Sequence, residues 1–313
     1  MIAALAVALM CAPGTWLRSE VTRSSPREIN VVQIAGPRTL DTPGWELAGL
    51  WHYRAESLRF GGFSALVALR NERLRAFSDR GFRMTLSEPD TPQPRQGMNR
   101  QLVEPGKVWD LWDIEAATRD PESGAYWLGY ENLHAIHRFT VASEPDGLRD
   151  LSGEVDWPIN SGIEAMVRLT DGRFVVLPEG QPRGLLFAKD PVEGGAPATF
   201  AITSPADGYV ITGGKELPDG RLMVLMRRLV WPSPRAWPPF GSLLAIGDAP
   251  EADGAFAPQI TLRLEGVLPR DNYEGLALRE REDGRLDVWI ISDDNFSVFQ
   301  RTLLAKLIFD PAA

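Results

Sequence analysis

The sequence is poor in the residues that build covalent cross-links and soft metal sites. It has a single cysteine, Cys11, so neither an internal disulfide nor a cysteine-based zinc site is possible. Its three histidines, His52, His134 and His137, leave little imidazole for catalysis. Oxygen ligands are therefore expected to make up most of any metal site, which favours a hard cation such as calcium or magnesium.

Positive charge is also scarce. The 33 Lys and Arg residues are outnumbered by 42 Asp and Glu residues, which gives a formal net charge of −9. Nucleic acid and an anionic membrane surface both require the opposite balance, so we expect neither as a partner. A local cluster of carboxylates that holds a cation fits this composition.

The amino-terminal apolar run, Ile2–Met10, is too short to span a bilayer. It resembles the hydrophobic region of an export signal, although no positive charge precedes it. We interpret residues 1–25 as a leader and tail, cleaved on export to the periplasm or the medium, and residues 26–313 as a single domain. If the leader is not functional, the chain stays in the cytoplasm.

Turn residues are abundant, with 29 Gly and 25 Pro, and this favours many short strands over long helices. Five segments of the chain are similar to one another. Each has a polar marker residue beside an apolar run, and successive markers are separated by 51, 49, 48 and 62 residues. The markers are Ser64, Glu115, Glu164, Thr212 and Glu274. A turn such as Asp171-Gly172 follows each run, and more extended runs come after it.

Four short strands per repeat, joined as a meander, make one blade of a β-propeller. The sequence thus predicts an all-β fold, a β-propeller of five four-stranded blades. The fifth repeat lacks a fourth strand, and a spare strand, Trp45–Tyr53, precedes the first repeat. We expect Trp45–Tyr53 to pair with Thr302–Phe309 and close the ring. A sixth blade built partly from Ile29–Ala35 is one alternative, and an aperiodic β-sandwich is another. The other fourth strands are predicted at Gln101–Val108, Leu151–Trp157, Thr199–Ile202 and Gln259–Val267.

The hairpin turns place a second polar residue beside each marker. Counting outward from each turn pairs Ser64 with Asp79, Glu115 with Glu131, Glu164 with Glu179, Thr212 with Arg227, and Glu274 with Asp293. First strands line the axis of a propeller, so three glutamates should converge there, and Asp113 flanks them. Carboxylates this close cannot all stay ionised without a cation. We predict calcium ligands at Glu115, Glu164, Glu274, Asp79 and Asp293.

Other residues at this end are candidates for catalysis and substrate binding. A carboxylate that does not bind metal, Glu131 or Glu179, can act as general base. Arg227 can hold an anionic substrate group through two parallel hydrogen bonds, or it can simply balance a nearby acid. Five polar side chains are predicted to contact substrate: Ser64, Asn132, Thr212, Arg228 and Asn272.

Several segments resemble a known family. Gly61–Leu66, Asp113–Ala117, Asn160–Ala165 and Asp271–Leu276 are similar to segments of the phytase-like family described as having esterase-like activity of phytase. The resemblance extends from about Trp45 to Phe309. It implies a bacterial, often exported β-propeller. It also implies an acidic channel mouth, like the one where calcium ions bind substrate phosphate in distantly related propeller phytases.

Three functions fit these observations. The first is a calcium-dependent hydrolase of phosphoester or carboxylic ester substrates. The second is a lactonase-type propeller, which needs one axial calcium and the same acid–base pair. The third is a binding propeller whose metal is structural. The expected partner is a small-molecule ester or phosphoester, and we expect a monomer. Turnover of ester substrates with and without a chelator separates the enzymes from the binding module.

Overall fold

The computed structural model describes residues 26, 28–100, 113–158, 161–233 and 236–313. Three strands come first: β1 (Asn30–Ala35), β2 (Arg38–Thr39) and β3 (Trp45–Arg54). Blade 1 contains β4 (Phe63–Leu69), β5 (Arg73–Ser78), β6 (Phe82–Ser87) and β7 (Gln96–Arg100). Blade 2 contains β8 (Ile114–Arg119), β9 (Tyr126–Tyr130), β10 (Ala135–Phe139) and β11 (Pro145–Asp150).

The remaining blades follow in chain order. Blade 3 contains β12 (Ile163–Arg168), β13 (Phe174–Pro178), β14 (Arg183–Phe187) and β15 (Ala198–Ile202), with a 3-10 turn at Pro191–Glu193. Blade 4 contains β16 (Val210–Glu216), β17 (Leu222–Leu229), β18 (Phe240–Gly247) and, after the short β19 (Ala255–Phe256), β20 (Gln259–Arg263). Blade 5 contains β21 (Asn272–Glu280), β22 (Leu286–Asp293) and β23 (Thr302–Phe309). Strand β19 joins the edge of blade 3 in parallel with β15.

The amino-terminal strand closes the ring, as the sequence predicts. Strand β3 pairs antiparallel with β23 and becomes the fourth strand of blade 5. Trp45 lies opposite Phe309 at one end of this pairing, and their rings stack with centroids 4.5 Å apart. Strand β1 pairs with the outer side of β3, so Ile29–Ala35 extends blade 5 and does not begin a sixth blade. The fold is a five-bladed β-propeller.

The hydrophobic core is divided among the contacts between neighbouring blades. Five clusters of buried residues fill the five spaces between adjacent sheets. The cluster between blades 5 and 1 joins Trp51 and Trp289 to Leu66 and Met84. Because the closing strand β3 contributes to the clusters on both sides of blade 5, closure and core formation depend on each other.

The first strand of each blade faces the propeller axis. Strands β4, β8, β12, β16 and β21 contact one another in a ring. The residue after each marker is small, namely Ala65, Ala116, Ala165, Gly213 and Gly275. A Cβ atom on Gly213 would lie 2.7 Å from the Glu274 carbonyl oxygen, so the inner strands approach as closely as their backbones allow. The axial space they enclose has a volume of only about 10 Å³.

One predicted outer strand is misplaced. The fourth strand of blade 2 is β11 at Pro145–Asp150, where the sequence predicts Leu151–Trp157. Gln101–Val108 lies outside the described residues, and β7 at Gln96–Arg100 forms the outer strand of blade 1. The predicted leader also lies outside the described part of the chain. Within that part, none of the helical segments has the length and apolarity needed to cross a membrane.

Candidate functional site

Each of the five marker residues occupies a β-bulge. The pairing of β4 with β5 passes from Phe63 to Ala65 and skips Ser64, and the other four inner hairpins skip their own marker in the same way. A bulge adds one unpaired residue to a strand and redirects its side chain. The five markers, Ser64, Glu115, Glu164, Thr212 and Glu274, all line the axial space.

The bulges shift the expected pairing. The second polar residue of each hairpin lies opposite the residue two positions before the marker. The Glu131 N–H donates to the Asp113 carbonyl oxygen at 3.0 Å, and the Glu179 N–H donates to that of Gly162 at 3.1 Å. Arg227 faces Val210, and Asp293 faces Asn272. The polar residues still gather at one end of the propeller, which we call the acidic mouth. It comprises Asp79, Asp113, Glu115, Glu131, Glu164, Glu179, Arg227, Glu274 and Asp293.

The acidic mouth contains two groups of three carboxylates with the spacing of a metal site. Asp113, Glu115 and Glu131 form the first group, and Glu131, Glu164 and Glu179 form the second. In each group the oxygen atoms lie within 4.8 Å of one another. Glu131 belongs to both groups, so its carboxylate lies between the two candidate ion positions.

A glycine allows Glu131 to sit between the groups. Gly162 in the neighbouring blade donates its backbone N–H to Glu131 Oε1 at 3.2 Å. A Cβ atom at this position would lie 2.7 Å from the Glu131 carbonyl oxygen and 2.8 Å from its Cγ atom. Any larger residue at position 162 would push Glu131 away, because real Cβ atoms do not approach other atoms so closely.

Arg227 balances the other side of the mouth. Its guanidinium lies 3.2 Å from Glu179 Oε1 and 3.3 Å from Glu274 Oε1. It also donates to Asn272 Oδ1 at 2.7 Å. The Asn272 amide in turn donates to Glu274 at 2.8 Å and to Asp293 at 3.4 Å. Arg227 and Asn272 therefore tie these three carboxylates into one hydrogen-bonded network.

Only two of the five predicted calcium ligands belong to the three-carboxylate groups. Glu115 and Glu164 lie in the three-carboxylate groups, whereas Glu274 is held by Arg227 and Asn272. Asp293 receives a backbone N–H from Asn295 at 2.7 Å. Asp79 receives the Ser78 hydroxyl at 3.2 Å. Asp79, Glu274 and Asp293 thus lie outside the two three-carboxylate groups.

Burial and repulsion by neighbouring carboxylates raise the pKa of several acids of the mouth. Burial raises the pKa of Glu131 to about 7, and neighbouring carboxylates add to the effect. The pKa values of Glu115 and Glu164 lie well above the usual range, because both acids are buried and neighbouring carboxylates repel them, chiefly Glu274 for Glu115 and Glu179 for Glu164. Burial likewise raises the pKa of Asp79 to about 7. A bound cation would let these groups ionise together.

The predicted substrate contacts have different environments. The Thr212 hydroxyl lies 3.3 Å and 3.4 Å from two backbone carbonyl oxygens, so it is already satisfied. Arg228 stacks on the ring of Tyr209, 4.8 Å from its centroid. Ser64 is buried beside the axis. The Asn132 Oδ1 atom is buried with no hydrogen-bond partner among the described residues.

Asp113 and Gly162 contribute more to the acidic mouth than their sequence context indicates. Asp113 adopts a φ of 81°, which is uncommon for a residue other than glycine, and its carboxylate joins the first group. The Asp-x-Glu spacing of Asp113 and Glu115 is the sequence feature that indicates the role of Asp113. The closeness of Gly162 to Glu131 depends on how two blades pack, which the sequence does not display.

Solved structures offer only distant likeness. The virginiamycin B lyase of Staphylococcus aureus, in an inactive form with quinupristin, is 12% identical with a TM-score of 0.43, covering 90% of this chain and 100% of that one. A luciferin-regenerating enzyme is 9% identical with a TM-score of 0.47, covering 91% and 96%. A protein of unknown function from Bacteroides thetaiotaomicron is 12% identical with a TM-score of 0.46, covering 90% and 76%.

The sequence comparison is more specific. No curated protein matches the chain. The family described as phytase-like, with esterase-like activity of phytase, matches residues 58–296. This match spans more than half of the chain and includes all five marker residues. The chain therefore belongs to the phytase-like family.

Proposed function

We propose that the chain is a calcium-dependent hydrolase that cleaves ester bonds at the acidic mouth. The observation that carries the proposal is the pair of three-carboxylate groups that share Glu131. Glu179 is paired with Arg227, whereas the other four acids have no ion pair within the described residues, converge on the same space and repel each other. A site of this kind suits a bound cation that also contacts a substrate.

The donor set fits calcium. Both groups offer carboxylate oxygens only, which are the ligands that this cation prefers. The buried Asn132 Oδ1 adds an amide oxygen without a partner in the described structure, next in sequence to the shared Glu131. Asp113, Glu115, Glu131 and Glu164 would hold the metal, and Glu179 would lie beside it. When bound, calcium would neutralise the carboxylates and polarise a substrate oxygen.

We assign the general base to Glu179. Its side chain is 26% exposed, so it can reach a water molecule at the opening, and it belongs to only one of the two groups. Arg227 donates a hydrogen bond to Glu179 Oε1 at 3.2 Å and so fixes the direction of its carboxylate. We therefore propose Arg227 as a positioning residue, because both ends of its guanidinium are occupied by acids of the mouth.

The charges around the mouth favour a substrate with few negative groups. Arg80 stacks on Phe296 at 3.2 Å and donates to the Leu58 carbonyl oxygen at 3.0 Å. Arg228 is stacked on Tyr209. Together with the engaged Arg227, these arginines leave little positive charge for a heavily phosphorylated molecule. We propose a carboxylic ester or a phosphoester with a single phosphate.

Chromogenic esters test the proposal. We expect hydrolysis of p-nitrophenyl acetate or p-nitrophenyl phosphate in calcium, and loss of at least ten-fold in kcat/KM after treatment with EDTA. Glu179→Gln should lower kcat about 100-fold, as removal of a general base does. Glu282→Gln changes an exposed glutamate outside the mouth and serves as the control. Equal rates in calcium and in EDTA would refute a metal-dependent hydrolase.

Two other functions remain candidates for specific reasons. The axial glutamates Glu115, Glu164 and Glu274 all line the central space, which suits the single axial ion of a lactonase-type propeller. Turnover of lactones but not of linear esters would favour that reading. Arg227 and Asn272 already neutralise and hydrogen-bond the acids on one part of the mouth. A metal held by the remaining acids would then serve the structure alone. Calcium binding without turnover of any ester would favour a binding propeller.

A further inference from the structure

The end of the propeller opposite the acidic mouth has a cavity of its own. Its volume is about 580 Å³, which lies in the range of small-molecule sites. It is lined by the far ends of the five inner strands, and we call it the basic mouth. Along β8, Arg119 lies four residues beyond Glu115, or about 13 Å at the rise of a β-strand. The basic mouth is therefore separate from the proposed catalytic site.

Cations outnumber acids in the lining of the basic mouth. Five positive side chains and three negative ones contribute. The positive residues are Arg70, Arg119, Arg168, Lys215 and Arg279, and they come from all five blades or the turns that follow their inner strands. The negative residues are Asp120, Glu122 and Glu216. This excess of positive charge contrasts with the formal charge of −9 on the whole chain.

The acids of the basic mouth are partly engaged elsewhere. Glu216 accepts the backbone N–H of Thr170 at 2.6 Å and its hydroxyl at 2.7 Å. Asp120 accepts the Ser123 hydroxyl at 2.6 Å and lies 3.9 Å from Arg168. These contacts leave the two acids fixed at the rim.

Besides Arg168, which lies 3.9 Å from Asp120, two more of the five cations are paired or satisfied by the protein itself. Arg279 lies 2.6 Å from Glu88, which is buried outside the cavity. Arg70 donates to the carbonyl oxygens of Pro121 and Glu122 at 3.1 Å and 3.0 Å. The protein itself therefore supplies partners for both side chains.

Lys215 and Arg119 differ from the other cations. Lys215 Nζ donates to the Ala117 carbonyl oxygen at 2.8 Å, which uses one of its three donors. The Arg119 guanidinium makes no hydrogen bond or ion pair with any residue that the structure describes. Within the same residues, neither side chain has a carboxylate oxygen within 4.0 Å. Two positive groups with unused donors thus face one cavity.

We propose that the basic mouth binds a small oxyanion, a carboxylate or a phosphate group, between Lys215 and Arg119. A planar guanidinium and an ammonium together match the oxygen atoms of such a group, and hydrogen bonds between charged partners are the stronger class. The small axial residues close the space between the two mouths, so this ligand enters from the opposite face to the substrate. The site does not depend on the proposed hydrolase activity.

The protonation of Lys215 supports this assignment. Burial lowers its pKa to about 7, with no acid near enough to offset the effect. An anion beside the amine would favour the charged form and raise that pKa, so binding should be accompanied by proton uptake near neutral pH. The charged groups that line the cavity with this amine are Arg119, Asp120 and Glu122 from blade 2, Arg168 from blade 3, Glu216 from its own strand, Arg279 from blade 5 and Arg70 from blade 1.

Isothermal titration of the EDTA-treated full chain with succinate and with inorganic phosphate tests the site. The two probes separate a carboxylate ligand from a phosphate ligand. We expect saturable binding of at least one probe and about ten-fold weaker binding in both Lys215→Met and Arg119→Gln. Arg221→Gln is the matched control, since Arg221 is a partly exposed arginine of a hairpin turn at the same end, paired with Asp219 at 2.7 Å.

A second readout distinguishes direct binding from altered folding. Succinate titrated at pH 7.5 in two buffers of different ionisation enthalpy should show proton uptake in the wild type and none in Lys215→Met. Arg119 is only partly buried, so Arg119→Gln is expected to fold. This variant therefore still tests the site if Lys215→Met fails to fold. The proposal is overturned if neither probe binds, or if Arg221→Gln weakens binding as much as the two site variants do.

Discussion

Replacing Glu131 by glutamine should stabilise the metal-free protein and weaken the calcium-bound one. Glu131 is shared by both carboxylate groups, and burial raises its pKa from the ordinary 4.5 to about 7. A group whose pKa is raised by folding contributes stability below its unfolded pKa, and this contribution is lost as the pH rises through its folded value. Without metal, wild-type stability should therefore fall between about pH 4.5 and pH 8.

The size of the effect follows from the pKa change. A rise from 4.5 to about 7 corresponds to about 3 kcal/mol of stability lost at high pH, and screening by water at this half-buried site reduces that to about 1–3 kcal/mol. Each kcal/mol shifts the melting temperature of a domain this large by about 2 °C. Glutamine has nearly the same shape and no charge, so Glu131→Gln should melt about 2–6 °C above the wild type at pH 8 in EDTA.

Differential scanning calorimetry at pH 5 and pH 8, in EDTA and in calcium, measures this directly. At pH 5 the wild-type carboxyl is mostly protonated, so the two proteins should melt together. In calcium at pH 8 the order should reverse, because only the wild type binds the ion fully and gains stability from it. Glu282→Gln should match the wild type throughout. A Glu131→Gln protein that melts below the wild type at pH 8 in EDTA would refute the charge repulsion.

Three further predictions concern other parts of the molecule. Gly162→Ala should lower stability by about 1–3 kcal/mol and weaken calcium binding, because the new Cβ atom collides with Glu131, whereas Gly153→Ala, with open space around it, should do neither. Arg227→Lys should lower kcat alike for anionic and neutral esters, and a loss confined to anionic esters would show instead that Arg227 binds substrate. Deletion of residues 1–54 should abolish cooperative unfolding by removing the closing strand, whereas deletion of residues 1–28 should preserve it.

The sequence predicts the parts of the fold that repeat, because each inner strand has a polar marker beside an apolar run. The spacing of the markers predicts the number of blades, and the incomplete fifth repeat predicts the closure by β3. Outer strands face solvent and have no such signal. Strand β11 reads Pro-Asp-Gly-Leu-Arg-Asp and alternates between half-buried and exposed residues. The apolar residues after it, Leu151, Val155 and Trp157, pack against the core as a loop, and their apolar pattern is the reason that the sequence predicts a strand there.

The candidate site is predictable to the level of which residues meet, but not of how they meet. Counting from the turns brings the correct polar residues to one end of the propeller. It assumes a regular ladder, so it misses the bulge at each marker and places the partners two residues out of register. The basic mouth escapes the same reasoning, because Lys215 and Arg119 come from different positions in their repeats and meet only through the packing of the inner strands.

A calcium titration of the EDTA-treated protein tests the central claim most directly. Isothermal calorimetry at pH 8 should show two calcium ions bound per chain in the wild type, one for each carboxylate group, and a large loss of affinity for both in Glu131→Gln. Exposed acids elsewhere, such as Glu282, should make no difference when changed to glutamine. The absence of saturable calcium binding, or binding that Glu131→Gln leaves intact, would contradict a metal centre at the acidic mouth.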